Sequence, residues 1–390
     1  MFANLLHVDH VGNPQLLRRI NRTLVLEAMS DGRQRSRADL AAAVGLAKPT
    51  VGEIIDNLVS ERLVREIGYG SVTSRGGRRP LLVEIDPDSA AHVGIHFGVH
   101  TTRVVVTDAI GRTRAATLAT SPLKSPKRSV NTAKRLVASA LSEAGIPVER
   151  LRAVGAAIPG PVDSTTGRCT VAPNLGWNDV PIEAMLADAF GVPTIAKNIA
   201  HAGALAEHDS GAAAAVDDVV WVSVGTGVGA GIISGGRLQA GSSGLGGEIG
   251  HCRVAPDGPV CSCGRRGCLE SLGSGRALAR RAGTSDAAQA FSNAAAGDPV
   301  ARQAIIETAG WLAVGVATLV NVFDPQLVVI GGGLAGAGEV LLGPLRLATA
   351  GTALRDVPVV ASSLGDEAEV TGAVLLARQH STETIRVEKV

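Results

Sequence analysis

The chain has 390 residues, of which 45% are hydrophobic and 19% are charged, a balance that excludes an intrinsically disordered protein. Because domains usually contain roughly 100–200 residues, this length predicts two or three domains. The first residues lack a basic cluster ahead of an apolar core, and the uncharged run from Thr308 to Phe323 is shorter than the ~20 apolar residues of a membrane-spanning helix. We therefore expect a cytoplasmic protein with no membrane partner.

The charge is unevenly distributed along the chain, although its net value is only +1. The segment from Pro14 to Leu82 contains 12 Lys/Arg and 7 Asp/Glu, a net charge of +5 that leaves −4 for the rest. A basic head on a slightly acidic body is expected when one segment binds nucleic acid and the remainder does not.

The N-terminal segment has the pattern of three short helices. Ser36 is placed to cap the second helix, Gly45 supplies the turn after it, and Pro49 is tolerated in the first turn of the third. Apolar residues of the third helix recur at helical spacing and are expected to face inward. They are Val51, Ile54, Ile55 and Leu58.

The outward face of the third helix is short and polar, which suits the major groove of DNA. Its candidate DNA contacts are Lys48, Thr50, Gly52, Glu53 and Asn57, with Lys48 and Thr50 the leading pair. N-terminal residues of a recognition helix are the ones that meet base edges.

Residues 65–85 predict two strands joined by a turn rich in Gly, Ser and Arg, which is the pattern of a wing. Arg75, Arg78 and Arg79 fall at its tip, where guanidinium groups can follow phosphates or enter a narrow minor groove. A solvated charged loop is the alternative, but the preceding helices favour DNA binding. We therefore predict a winged helix-turn-helix DNA-binding domain over residues 14–88.

This segment is similar to the winged helix that opens many bacterial sugar-metabolism repressors. One departure is Ala47, which stands where a capping Ser is common. We expect the third helix to be less firmly capped for this reason.

From His92 onward, short apolar strands alternate with Ala-rich helices, which predicts an α/β fold over residues 89–390. Residues 93–112 and 219–238 share the order strand, glycine turn, strand, which indicates two lobes. In the second stretch, the turn at residues 225–229 would expose backbone amides to an anion.

One His and three Cys residues lie close together in the segment 247–270. His251, Cys261, Cys263 and Cys268 have the ligand count of a closed tetrahedral site for structural Zn2+. Unrelated free thiols are the alternative, and Cys252 is a possible spare ligand. Cys169 has no partner in sequence and is expected to be a buried small residue.

The sequence GEIGH (247–251) followed by CxCGxxGCLE (261–270) resembles the signature of the ROK family of bacterial sugar kinases, repressors and uncharacterised reading frames. Further matching segments are 156–163, 172–177, 197–207, 224–231 and 330–335. The resemblance implies a two-lobed, actin-like (ribonuclease H-like) ATPase-type fold, for which we expect a hinge near 195–220.

The resemblance also implies which residues bind a sugar: Asn198, Glu248, His251 and Glu270. Carboxylates accept paired hydrogen bonds from vicinal hydroxyls, and a zinc-bound imidazole is held in one orientation, so the set suits a pyranose. An ordinary buried polar network is the alternative interpretation.

Two departures from the kinases predict that catalysis is lost and that the protein is not an enzyme. Ile199 stands where the kinases have the Asp that serves as base, and it can neither take a proton nor accept a hydrogen bond. His96 to His100 replaces the phosphate loop Asp-x-Gly-Gly-Thr, so nucleotide binding is also in question.

The sequence thus predicts a transcription repressor of carbohydrate metabolism. Its partners would be operator DNA and a sugar or sugar-phosphate effector, and it would act as a homodimer or homotetramer. Two alternatives stay open: a ROK sugar kinase with residual ATP-dependent phosphotransfer, and a regulator controlled by a protein partner with a vestigial cleft.

Overall fold

The computed structural model describes residues 14–70, 79–122 and 124–387. These residues form two compact units, which are described separately. The first contains the described residues up to Ala91 together with Thr107–Arg112, and the second contains His92–Val106 and the described residues from Thr113 onward.

The first unit is a three-helix bundle with a small antiparallel sheet, as the sequence predicts. Its elements are α1 (Pro14–Met29), β1 (Arg35–Ser36), α2 (Arg37–Val44), α3 (Lys48–Ser60), β2 (Val64–Tyr69) and β3 (Leu81–Ile85). The sheet order is β1-β3-β2. Val51, Ile55 and Leu58 of α3 are fully buried in the core, and Ile54 packs against it, so the predicted inward stripe is confirmed.

Local hydrogen bonds explain where α2 begins and ends. The Ser36 hydroxyl accepts from the Asp39 amide at 3.1 Å, and the Asp39 carboxylate accepts from the Ser36 amide at 3.0 Å, which is a capping box. Gly45 ends the helix in the left-handed conformation with φ 69°. By contrast, Ala47 gives α3 no side-chain cap, as expected from its methyl group.

The second unit contains two five-stranded sheets, each covered by helices, and a short hairpin. The first sheet has the order β10-β7-β4-β5-β6, the second has the order β13-β12-β11-β14-β15, and β8 pairs with β9. Their strands are β4 (Ala91–Phe97), β5 (Thr101–Asp108), β6 (Thr113–Thr120), β7 (Leu151–Ile158), β8 (Cys169–Ala172), β9 (Trp177–Val180), β10 (Thr194–Asn198), β11 (Val219–Val224), β12 (Val228–Ser234), β13 (Arg237–Leu238), β14 (Leu327–Gly331) and β15 (Val359–Ala361).

Nine helices of the described chain accompany these sheets. They are α4 (Pro126–Glu143), α5 (Ile182–Phe190), α6 (Ile199–Ser210), α7 (Leu269–Gly273), α8 (Gly275–Ala282), α9 (Ala287–Ala295), α10 (Pro299–Phe323), α11 (Glu339–Ala350) and α12 (Ala368–Val387). The duplication predicted from the sequence corresponds to the strand pairs β4/β5 and β11/β12, which occupy adjacent positions in the two sheets.

By length and composition, α10 is the one helix of the described chain that could cross a membrane. Its apolar side chains, including Leu312, Val316 and Leu319, are instead buried against β11 and β14 residues such as Val222 and Ile330 in the core of the second sheet. We therefore interpret α10 as the core helix of this lobe.

Candidate functional site

A cavity of about 440 Å3 lies in the second unit, a size typical of small-molecule sites. It is lined by residues that follow the ends of strands in both sheets. Asn198 and Ile199 lie at the end of β10, Thr226 and Gly227 follow β11, and Gly332 follows β14. Loops from two sheets therefore converge on one cleft.

Asn198 is fixed in this cleft by two hydrogen bonds. Its carbonyl oxygen Oδ1 accepts from the Ala200 amide at 2.6 Å, which caps α6, and its Nδ2 donates to Glu248 Oε1 at 2.8 Å. Burial, and then the nearby charge of Glu270, raises the pKa of Glu248 to about 7. The amide and the carboxyl are thus held side by side, with donors and acceptors for ligand hydroxyls.

A tight backbone approach places Glu248. The preceding Gly247 has φ +87°, and a Cβ atom there would lie 1.8 Å from the Ala230 carbonyl oxygen. No other residue type fits without displacing the β12 backbone.

Glu270 is buried in the first turn of α7, just after the metal ligand Cys268. Its Oε1 accepts from the Ser262 hydroxyl at 2.6 Å, and its Oε2 accepts from the Val228 amide at 3.2 Å. The Glu270 carboxylate therefore ties the loop that carries the cysteines to the glycine turn after β11. Sequence reasoning missed Ser262, which a serine between two cysteine ligands could have suggested.

The structure brings together the four predicted metal ligands. The nearest ligand atoms of His251, Cys261, Cys263 and Cys268 all lie within 4.8 Å of one another, and this set could hold a metal ion. Cys261 Sγ is 3.7 Å from His251 Nδ1, and Cys263 Sγ is 3.7 Å from Cys268 Sγ. Three thiols and one imidazole fit Zn2+ by donor type.

The two remaining cysteines are not members of this cluster. Cys252 is exposed and is not part of it. Cys169 is fully buried, as predicted, and burial raises the pKa of its thiol to about 12.

The metal cluster is continuous with the cleft. His251 faces Cys261 with Nδ1, while its Nε2 lies 3.9 Å from Glu248 Oε2 and its side chain lines the cavity. Cys268 immediately precedes α7, which carries Glu270. The candidate sugar contacts Asn198, Glu248, His251 and Glu270 are therefore assembled around one cavity.

The residues that depart from the kinase pattern also line this cavity. Ile199 and His96 are both half-buried at its wall. The glycine turn predicted as an anion cradle is present, but two of its amides are already used inside the protein. Gly225 donates to the Gly227 carbonyl at 2.9 Å, and Val228 donates to Glu270.

The candidate DNA-contacting residues of α3 lie at or near the surface of the first unit. Lys48, Glu53 and Asn57 are exposed, while Thr50 and Gly52 are half-buried. Arg79 is exposed beside β3, whereas Arg75 and Arg78 lie outside the described residues.

Asp56, a further acidic residue of α3, forms an ion pair with Arg37. Arg37 Nη2 lies 2.6 Å from Asp56 and 3.1 Å from Glu66. Arg37 therefore partly neutralises the carboxylates of Asp56 and Glu66.

The fold and the cleft define a sugar-kinase-like body joined to a winged helix, which is the domain order of a transcription regulator. The ROK family model matches residues 92–380. The chain belongs to the ROK family, and the residues that carry the predicted resemblance lie within the matched range.

Three known proteins illustrate this relationship. The xylose repressor of Caldicellulosiruptor bescii is 34% identical over 355 residues, covering 86% of this chain and 88% of that protein. A ROK-family glucokinase from Streptomyces griseus, solved with glucose and AMPPNP, is 32% identical, with a TM-score of 0.69 over 74% of this chain and all of that chain. A ROK-family regulator homologous to the E. coli Mlc protein shares the fold, with a TM-score of 0.78, 23% identity, and coverage of 96% of this chain and 99% of that one.

Proposed function

We propose that the protein is a cytoplasmic, sugar-responsive transcription repressor of carbohydrate metabolism that has lost kinase activity. The observation that carries this proposal is the composition of the cleft, where Asn198, Glu248 and Glu270 are assembled and Ile199, which the resemblance aligns with the kinase base, lines the same cavity. A cleft of this kind can bind a sugar, but it has no carboxylate at that position to take a proton from a hydroxyl.

Sugar recognition would use groups that are already oriented. Asn198 and Glu248 hold each other at 2.8 Å, so little side-chain freedom is lost when a hydroxyl bonds to both. His251 and Glu270 complete the set from the metal-ligand segment. The similarity to a xylose repressor over most of the chain supports a pentose or hexose as effector.

DNA recognition would use α3 and the wing. Lys48 and Thr50, at the N-terminus of α3, would enter the major groove together with Gly52, Glu53 and Asn57, and Arg79 would contact the backbone. The domain boundary near residue 88 remains a prediction, as do Arg75 and Arg78 as wing contacts.

We further propose that the His251, Cys261, Cys263 and Cys268 cluster holds structural Zn2+. The bound ion would supply folding energy and fix the segment that contributes His251 and Glu270 to the cleft. Two such chains, paired in a homodimer or within a homotetramer, would then present two winged helices to a palindromic operator.

The regulatory step would be a shift between two arrangements of the lobes. A sugar that binds one arrangement of the lobes more tightly raises the population of that arrangement. Operator affinity then changes only if the two arrangements also differ in their affinity for DNA. The segment near 195–220, which includes α6, remains the predicted hinge.

The sugar site is tested with the Asn198→Ala and Glu248→Ala variants, by thermal melting and calorimetry against a panel of monosaccharides. A sugar at 100 times its Kd stabilises the folded protein by about 2.7 kcal/mol, and both variants should lose that gain. Leu245→Ala, at an exposed and uncharged position of the same cavity wall, is the matched control. Unchanged binding in both variants would reject the site.

The two alternatives give different outcomes in the same preparation. Residual kinase activity predicts ATP turnover that depends on a sugar. Control by a protein partner with a vestigial cleft predicts no stabilisation by any sugar.

A further inference from the structure

Two polar side chains outside the predicted sugar contacts, His96 on β4 and Glu369 at the start of α12, also line the cavity. A close backbone contact places the two elements that carry them side by side. A Cβ atom on Gly94 would lie 2.6 Å from the Val370 carbonyl oxygen, so β4 packs directly on the first turn of α12. Since alternate residues of a strand share a face, His96 points to the same side as Gly94, where Glu369 precedes Val370.

His96 lies two strands away from Asn198. In the first sheet, β7 separates β4 from β10, whose last residue is Asn198. Neighbouring strands are about 4.8 Å apart, which gives a lateral separation of about 10 Å. A ligand held by Asn198 and Glu248 must therefore extend across the width of two strands to reach His96.

Both side chains suit uncharged hydroxyl groups. Burial, and then the positive charge of Arg103, lowers the pKa of His96 to about 4, so its imidazole is neutral and offers one donor and one acceptor. Burial, and then the nearby Asp366, raises the pKa of Glu369 to about 7, although Arg103 opposes this. The Arg103 guanidinium itself is bound to the Glu367 carboxylate and the Asp366 carbonyl.

The described lining of the cavity as a whole is unfavourable for an anion. Among its described lining residues, Arg265 is the only cationic side chain, and it belongs to the loop of the metal ligands, whereas Glu248, Glu270 and Glu369 are all acidic. The amides of Gly225 and Val228 in the glycine turn are already hydrogen-bonded within the protein. A phosphate would therefore meet carboxyl groups with little opposing charge.

We propose that His96 and Glu369 form a second subsite that binds the outer ring of a neutral disaccharide whose first ring is held by Asn198 and Glu248. This inference rests on the proposed function, because it extends the sugar site along the same cavity. It assigns the space beside β4 to a second sugar ring.

The test is calorimetric titration of the full-length protein with xylose and xylobiose, with glucose, cellobiose and maltose, with N-acetylglucosamine and chitobiose, and with glucose 6-phosphate. One disaccharide should bind at least tenfold more tightly than its monosaccharide. His96→Ala and Glu369→Ala should remove this gain and leave monosaccharide affinity unchanged. Glu369→Gln keeps a donor and an acceptor and should retain the gain, as should His100→Ala, at an exposed position between β4 and β5.

Several results would overturn the inference: equal affinity for every disaccharide and its monosaccharide, a gain that survives both alanine variants, or tighter binding of glucose 6-phosphate than of the neutral sugars. If a monosaccharide still binds and depends on Asn198, only the second subsite is rejected and the proposed function stands. If no sugar in the panel binds, the second subsite and the sugar-responsive function are both rejected.

Discussion

Glu369→Gln removes an ionisable group that is only 5% exposed, and its effect on stability should depend strongly on pH. Burial raises the pKa of Glu369 from 4.5 to about 7. Since one pKa unit corresponds to about 1.4 kcal/mol, this shift changes the free energy of unfolding by about 3 kcal/mol between low pH, where the carboxyl is protonated, and high pH, where it is ionised.

The sign of this pH dependence follows from the number of protons bound by the folded and unfolded states. Between pH 4.5 and about 7 the folded protein holds a proton on Glu369 that the unfolded chain releases, so this group makes the wild type less stable as pH rises. The loss is complete above the folded pKa. Glutamine does not titrate, and the variant should therefore gain about 3 kcal/mol relative to wild type between pH 4 and pH 8.5.

The assay is urea unfolding of both proteins across this pH range, followed by tryptophan fluorescence without added sugar. The protein's three tryptophans, Trp177, Trp221 and Trp311, all lie in the second unit and report its unfolding. Taking the difference between variant and wild type cancels the titration of the cysteine cluster. Glu149→Gln, at an exposed glutamate, is the matched control. A stability difference for Glu369→Gln that stays constant with pH would refute the reasoning.

Three further predictions concern the winged helix and the metal. Ala47→Ser should add the missing cap of α3 and slow hydrogen exchange of the first-turn amides of this helix by an amount equivalent to about 0.5–1 kcal/mol. Unchanged exchange would mean that the serine does not cap the helix. Chelation or Cys268→Ser should lower the tryptophan-detected melting temperature and also weaken sugar binding. If sugar affinity is unchanged after metal loss, the metal cluster does not support the sugar site. Lys48→Ala should weaken DNA binding and reduce the slope of log Kobs against log salt by about 1 if Lys48 contacts a phosphate, while an unchanged affinity would remove it from the interface.

The parts of the structure that local sequence determines were predictable. Ser36 and Gly45 mark the ends of α2 because a hydroxyl cap and a left-handed glycine act within one turn. The metal cluster was predictable because three of its ligands lie within eight positions of sequence and few other arrangements use three cysteines with one histidine.

Features of the cleft that depend on long-range packing could not be predicted from the sequence. Glu369 reaches the cavity only because Gly94 lets α12 approach β4. The hydrogen bond from the Val228 amide to Glu270 also depends on tertiary structure, because the two residues are 42 positions apart in the chain. The glycine turn therefore matched a phosphate cradle in sequence, although part of it is already hydrogen-bonded in the folded protein.

The central claim is that one chain couples sugar binding to DNA binding, and the most direct measurement is operator affinity with and without sugar. Purified protein is titrated against labelled DNA from upstream of its own gene and of neighbouring sugar-use genes, at physiological salt and with competitor DNA. We predict saturable binding that one sugar shifts at least fivefold in wild type and leaves unchanged in Asn198→Ala. Specific binding that no sugar alters, or no specific binding under any condition, would contradict the account.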